Sequence, residues 1–230
     1  MALYAIGDVH GCLKTLDKLI NALALTSSDK LILLGDYIDR GPDSKGVLDL
    51  VRKLSNESDS CIALKGNHEA MMHRAVVDPT GFYYPSWMVN GGEKTMASFG
   101  AEVLSELDPY KDYITYIDEL PLFYKSENFI FAHAGLNLEN DDPFSDEKAI
   151  LWIRDWYDID RMKSILPGKY IIHGHTPVPI NQVESQLKQD SPFINLDTGC
   201  VYKDRHKSMG YLTAINMDSS EIFTEKNIDF

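Results

Sequence analysis

Leu31-Ile32-Leu33-Leu34-Gly35-Asp36-Tyr37-Ile38-Asp39-Arg40-Gly41 is the stretch on which the fold turns. Aliphatic residues run into a glycine, and Asp36, Asp39 and Arg40 follow almost at once. A short apolar run closed by Gly reads as a buried strand that delivers its next residues to an exposed edge. Charges crowded against a buried strand are costly unless something pairs with them. Two carboxylates and a guanidinium in that place suit a metal-and-phosphate site. They equally suit a polar loop with an internal salt bridge, and the stretch by itself leaves both readings open.

The same pattern recurs on either side. Leu3 to Ile6 is a short strand ending at Gly7-Asp8-Val9-His10-Gly11, and Leu13, Leu16, Leu19, Ile20 and Leu23 follow at helical spacing. Thr26 to Asp29 reads as a turn. Pro42-Asp43-Ser44 reads as a helix start, with Val47, Leu48, Val51 and Leu54 as its apolar face. Cys61 to Leu64 is the next strand, ending at Lys65-Gly66-Asn67-His68-Glu69. Strand, polar loop and helix thus repeat through the first seventy residues, which predicts an α/β fold whose largely parallel strands end at one edge.

Residues 70–120 lose this regularity. Met71, Met72, Phe82-Tyr83-Tyr84, Trp87 and Gly91-Gly92 predict helices and loops packed as a cover, with Met71, Met72, Phe82 and Trp87 read as core rather than substrate contacts. Strand signals resume at Asn128 to Ala132 before His133-Ala134-Gly135, and at Tyr170 to Ile172 before His173-Gly174-His175-Thr176. Ile194 to Leu196 runs into Asp197-Thr198-Gly199, Lys203 to Ser208 reads as a surface turn, and Gly210 to Asn216 as a closing strand.

With 230 residues the chain can bury a full core, and a single domain over 1–230 is expected. The balance of 22 basic against 35 acidic residues gives a net charge of −13. That argues against a general partner role with nucleic acid or anionic membrane, since no cation surplus exists to neutralise phosphates. A phosphate-bearing substrate stays compatible, because a bound cation reverses the local field. Cys12, Cys61 and Cys200 are far apart and form no CxxC site or disulfide framework. No basic segment precedes an apolar run at the N-terminus, and no apolar stretch approaches the ~20 residues of a membrane span. A cytoplasmic protein is expected; its oligomeric state is left open.

The strand ends together collect Asp8, His10, Asp36, Asp39, Arg40, Asn67, His68, His133, His173, His175 and Asp197. Mixed nitrogen and oxygen donors suit manganese, iron or zinc better than magnesium or calcium. Asp8-X-His10 reads as a chelating pair, because alternate residues of an extended chain project to one side. So many donors exceed one ion's needs, and two metals sharing a carboxylate account for the count better. Each member also has a plain alternative. Asp8 could cap the next helix, Asp197 could be a turn residue, and His173 could be simply buried. His73 and His206 stand outside the strand-end clusters.

Gly7-Asp8-X-His10-Gly11, Gly35-Asp36-X-X-Asp39-Arg40-Gly41, Gly66-Asn67-His68-Glu69, His133-Ala134-Gly135 and Gly174-His175 resemble, in order, the signatures of the phosphoprotein phosphatase family of calcineurin-like metallophosphoesterases. The resemblance implies a four-layer sandwich of two mixed β-sheets flanked by helices, and two divalent metal ions, manganese foremost with iron or zinc as options. Asp8 and His10 would bind the first metal, Asp36 would bridge both, and Asn67, His133 and His175 would complete the second. Arg40 would hold substrate phosphate, joined by Asn67 and by Arg154, which rests on the weaker motif Leu151-Trp152-Ile153-Arg154. His68, oriented by Asp39, would be the general acid. The implied chemistry is in-line attack of a metal-bridging hydroxide on phosphorus, with arginine forks on the equatorial oxygens.

Within the family the chain looks most like the small bacterial and bacteriophage enzymes. Trp87-X-X-Asn90-Gly91-Gly92-X-X-Thr95 resembles a segment of those enzymes and of the symmetrical diadenosine tetraphosphate hydrolases, and is expected in the cover over the site. Because those hydrolases are generally longer, the expected activity is a serine/threonine protein phosphatase or general phosphomonoesterase, acting on a phosphorylated protein or small phosphoester. The alternative is a symmetrical diadenosine tetraphosphate hydrolase releasing ADP; a non-catalytic binding protein on the same fold is a third. After Asp197-Thr198-Gly199 the chain reads Cys200-Val201-Tyr202-Lys203-Asp204-Arg205, where relatives often carry glycines, which puts substrate contacts from that loop in doubt. Cys200 reads as either an oxidation-sensitive or an inert buried thiol.

Overall fold

The computed structural model describes residues 1–57, 59–155, 157–203 and 207–230. His206, and the Asp204-Arg205 part of the expected surface turn, lie outside the described residues.

Two mixed sheets form the centre. Strands β1 (Leu3–Ile6), β2 (Lys30–Leu33) and β3 (Cys61–Ala63) pair in parallel, and β8 (Tyr211–Asn216) and β9 (Glu221–Lys226) extend the same sheet antiparallel, in the order β3-β2-β1-β8-β9. The second sheet runs β4-β5-β6-β7, where β5 (Phe129–Ala132), β6 (Tyr170–His173) and β7 (Phe193–Asn195) are parallel and β4 (Phe123–Lys125) is antiparallel.

Period-two alternation in the short apolar runs assigns their faces. Ala5, Ile32 and Leu34 join Phe131, Ile172, Ile194 and Leu196 in the core between the sheets. Their neighbours Tyr4, Ile6, Leu31 and Leu33 face the opposite way, into a core with Leu16 and Leu19 of helix α1 (Leu13–Leu23) and Val47 and Val51 of α2 (Ser44–Glu57). Ile130, Ala132 and Ile171 face outward onto Ile150 of α7 (Glu147–Trp152) and Met162 of α8 (Ile159–Ile165). Both faces of both sheets are therefore covered, which is why these strands read as continuous apolar runs. The layers are helix, sheet, sheet and helix, as expected.

Residues 70–120 are helical: α3 (Asn67–Val77), α4 (Tyr83–Trp87), α5 (Glu93–Ser98) and α6 (Lys111–Glu119), with a π-helical turn at Met88–Gly92. Met71, Met72, Trp87, Met96 and Ile117 join the α1–α2 core, so this segment builds part of the outer helical layer. Phe82 departs from the core reading: its side chain is 77% exposed. Gly210 to Asn216 is not the closing strand, because β9 follows it at the sheet edge. Helix α9 (Ile180–Lys188) lies between β6 and β7 in the chain. Among the described residues, no helix is long and apolar enough to cross a membrane.

Parallel pairing sends the carboxyl ends of β1, β2 and β3, and of β5, β6 and β7, to one edge of their sheets. There the sheets nearly touch. A Cβ on Gly7 would lie 2.3 Å from the Leu196 carbonyl oxygen, so only glycine permits the approach.

Candidate active site

The loops leaving the strand ends are bent in an unusual way. His10, Asp36, Asp39, Arg40 and His175 hold φ values of 48°, 54°, 70°, 67° and 70°. Non-glycine residues rarely adopt that left-handed region, and such strain concentrates where surrounding contacts over-determine the backbone. At His10 the chain is no longer extended, so strand alternation does not set its direction. The His10 imidazole lies beside Asp36, its Nε2 3.6 Å from Oδ2. The Asp8 carboxylate accepts the His175 N–H at 3.1 Å and lies near enough to Asp36 and Arg40 for their charges to bear on it.

Asp36 is the centre of the buried cluster. His10, Asp36 and His68 offer donor atoms that converge on one side, and Asp36, His133 and His175 converge on the other. His133 Nε2 lies 3.4 Å from Asp36 Oδ1, and Asn67 Oδ1 lies 2.8 Å from both His133 Nε2 and His175 Nδ1. Burial raises the Asp36 pKa, but the four surrounding histidines outweigh it and hold the carboxyl below its ordinary range. Burial lowers the pKa of His10, His133 and His175, so these rings are neutral and their lone pairs free to ligate.

This donor set fits divalent cations. Nδ1–H of His133 donates to the Leu34 carbonyl, so its Nε2 carries a lone pair aimed at the oxygens of Asn67 and Asp36. Acceptors converging in a buried space repel unless a cation sits among them. Turning the Asn67 amide round would relieve its imidazole contacts but not the approach of His133 to Asp36. His175 Nε2 is buried with no hydrogen-bond partner. His10 repeats the arrangement: its Nδ1 donates to the Ile38 carbonyl, leaving the Nε2 lone pair toward Asp36. A ring nitrogen fixed by a backbone carbonyl while the other points at a common centre is the usual support of a metal-ligating histidine.

His68 is held differently. Its Nδ1 meets Asp39 Oδ2 at 2.6 Å. Burial disfavours its imidazolium, but Asp36 and Asp39 together outweigh this and raise its pKa. Asp39 in turn accepts from Trp87 Nε1 at 2.9 Å and from the Thr95 hydroxyl at 2.6 Å, while its own N–H donates to Ser44 Oγ and Thr95 Oγ1. The Trp87–Thr95 segment thus holds the Asp39 side chain and backbone in place. Gly91, at φ 106°, accepts the Arg40 N–H, and a Cβ there would lie 2.7 Å from that nitrogen.

Arg40 reaches inward, with Nη1 2.5 Å from His10 Nε2 and Nη2 2.8 Å from His68 Nε2. The face of Tyr202 lies 5.6 Å from its guanidinium carbon. Arg154 is exposed after α7, donates to Thr176 Oγ1 at 2.9 Å, and helps depress the pKa of His133 and His175. The two arginines thus flank the cluster.

Glu69 is a contact that spacing did not reveal. Its carboxylate accepts the N–H groups of Gly66, Asp36, Tyr37 and Ile38, at 2.9, 2.9, 2.8 and 3.3 Å. It ties the Gly35–Gly41 loop to the start of α3. Its place after Asn67-His68 was visible, but its partners lie some thirty residues upstream. Asp197 is buried beside Asp8, where burial and Asp36 raise its pKa to about 7. It also accepts the Gly199 N–H at 2.9 Å, as a turn residue does. His173 is buried, with Nδ1 3.1 Å from the Gly174 carbonyl, and lies outside both donor groups. His73 is half-exposed and pairs with Asp118 at 3.4 Å. Cys12 and Cys200 are buried thiols, and burial contributes to pushing Cys200 up, after its contact with Cys12.

A family model described as calcineurin-like phosphoesterase matches residues 1–198. An asymmetrical bis(5'-nucleosyl)-tetraphosphatase from Oceanobacillus iheyensis is 28% identical over 236 residues, covering 89% of this chain and 86% of the relative. A symmetrical bis(5'-nucleosyl)-tetraphosphatase from Vibrio campbellii is 32% identical over 138 residues, covering 60% of this chain; the match spans 46% of that relative's length. A protein serine/threonine phosphatase structure from Saccharomyces cerevisiae superposes with a TM-score of 0.68 at 14% identity, over 100% of this chain and 81% of that one. At such identity the likeness is one of fold.

Proposed function

The chain belongs to the calcineurin-like phosphoesterase family, and from that premise we propose that it is a dinuclear-metal-dependent hydrolase of dinucleoside tetraphosphates that cleaves them asymmetrically. One observation carries the reading: the similarity to an asymmetrical tetraphosphatase runs through 89% of this chain and 86% of that relative. The expectation of a protein phosphatase gives way, because the resemblance to protein phosphatases lies in fold alone. The symmetrical alternative shares this substrate class, but the symmetrical relative matches over a shorter stretch.

In this reading Asp8, His10 and Asp36 would hold one cation, and Asp36, Asn67, His133 and His175 would hold the second. The pair supplies Lewis acidity that brings a water's pKa toward neutrality and offsets phosphate charge. Arg40 and Arg154 bind non-bridging phosphate oxygens from opposite flanks, where a planar fork matches a phosphate edge. Asn67, beside His133 and His175, would add its amide to the same grip. His68 carries a proton on Nε2 to the departing oxygen, and Asp39 holds the ring at Nδ1 so that this nitrogen faces the substrate. Manganese is the ion to supply first, since nitrogen and oxygen donors are mixed. Three free thiols support a cytoplasmic setting.

The test is a product analysis. Diadenosine tetraphosphate is incubated with enzyme and manganese, and nucleotides are separated by anion exchange. ATP and AMP in equal amounts are expected. ADP alone would establish symmetrical cleavage, and an intact dinucleotide alongside dephosphorylated phosphopeptide would restore the protein phosphatase.

A further inference from the structure

A cavity of about 490 Å³ opens between α3, α4 and α7. Its walls are aromatic. Phe82, 77% exposed, stands edge-to-face with Tyr83 at a centroid distance of 5.8 Å on one side. Trp152 closes the other side, and its ring meets the ring of His175 edge-on at 6.1 Å. The cavity is thus separated from the proposed second metal position by a single indole.

Helix α3 makes the same connection from below. Asn67, Met71 and Arg74 are spaced i, i+4, i+7 and share one helical face. With a rise of 1.5 Å per residue, Met71 lies about 6 Å and Arg74 about 10 Å beyond Asn67. A substrate whose phosphate sits at the Asn67 end therefore reaches this cavity within the length of one nucleotide.

From this arrangement we infer that the cavity receives a nucleobase of the dinucleoside tetraphosphate, adenine being the best match, while the phosphates lie across the metal cluster. The inference rests on the tetraphosphatase reading and adds the base-binding site to it. Two features select that occupant. Aromatic faces stack on any flat heterocycle. The polar lining carries Glu147, which accepts the exocyclic amine, and Ser86, which donates to a ring nitrogen; adenine presents both groups on one edge. Arg74, at the end of the cavity away from Asn67, steadies this wall by donating to the Tyr83 hydroxyl at 2.6 Å and to Glu147 at 3.3 Å. The volume lies within the range of small-ligand sites.

Phe82→Ala is the decisive variant, because an exposed ring can be removed without opening the core. The kcat/KM for diadenosine tetraphosphate and for p-nitrophenyl phosphate are measured with manganese, and AMP and inorganic phosphate are compared as competitive inhibitors of the second reaction. In Phe82→Ala the dinucleotide-to-monoester ratio of kcat/KM should fall about tenfold through KM, AMP should lose its advantage over phosphate, and Phe82→Tyr should restore both. An unchanged ratio and unchanged AMP inhibition, in an enzyme whose wild type cleaves the dinucleotide, would overturn the cavity assignment alone. A wild type that hydrolyses p-nitrophenyl phosphate but not the dinucleotide would overturn the tetraphosphatase reading and the assignment with it.

Discussion

Asp36, Asp39 and Arg40 lie within five positions and do three separate things. Asp36 is aimed at four imidazoles, Asp39 at one, and Arg40 lies across two rings. Removing the central carboxylate should therefore remove the metals. Asp36→Asn is expected to lose the rise in melting temperature that manganese produces in the wild type, together with hydrolysis. A manganese-dependent stabilisation surviving in that variant would count against the assignment. His68→Ala should keep that stabilisation while kcat falls roughly 10²–10⁴-fold, the usual contribution of a positioned acid. Trp87 tests the support. Its indole donates to both oxygens of Asp39 in a buried place, a charge-assisted contact worth about 1.5–3 kcal/mol. Trp87→Phe keeps the ring, so kcat is expected to drop about tenfold or more with KM and bound metal unchanged; equal loss in KM would indicate a role in binding. His68 and Asp39 were legible as a motif, and Trp87 and Thr95 as members of another, but the contact between the two was not, because only folding brings Trp87 and Thr95 against a carboxylate some fifty residues away.

Among the elements, α3 does the most for the site. It presents Asn67 and His68 from its first turn and sends Glu69 back to the loop after β2. That buried carboxylate satisfies N–H groups of Gly66, Asp36, Tyr37 and Ile38, which have no water to turn to. Glu69→Ala should cost about 3 kcal/mol or more in chemical denaturation, since each orphaned buried donor is expensive. It should also weaken manganese binding, because Asp36 would lose its hold. An unchanged denaturation midpoint would show that the loop keeps its left-handed residues without help. The π-helical turn has a parallel duty at Gly91, where φ is 106° and a Cβ would meet the Arg40 backbone. Apolar runs revealed seven of the strands, because both faces of each sheet are buried, and apolar spacing revealed α1 and α2. It missed β4 and β9, which are edge strands without a long apolar run.

For the whole molecule, a net charge of −13 sits around the site proposed for a polyanion, and two bound cations with two arginines would make that workable. The fold also ties its first strand down electrostatically. Asp29 accepts the Ala2 N–H at 2.6 Å and both the N–H and hydroxyl of Thr26, which hold its carboxyl at about 2. Its unfolded value is about 3.9. A depressed folded pKa contributes stability that is present above the unfolded value and is lost as pH falls toward about 2. Asp29→Asn should therefore lower the melting temperature at about pH 6 and show a smaller deficit at about pH 3; an equal deficit at both would mean that charge is not what Asp29 contributes.

The sequence by itself determined most of the strands, the edge they end on and the candidate donors, because apolar periodicity and glycine-flanked polar clusters are local properties of the chain. It also placed the chain in its family. Tertiary structure decided what each donor faces. The Asp8 carboxylate met the His175 N–H of a distant loop, and Phe82 left the core for the rim of a cavity. Directions of side chains depend on loop dihedrals and on partners contributed by distant segments, and neither is written in spacing. That is why the reaction class was readable from motifs, while the substrate depended on the walls around them.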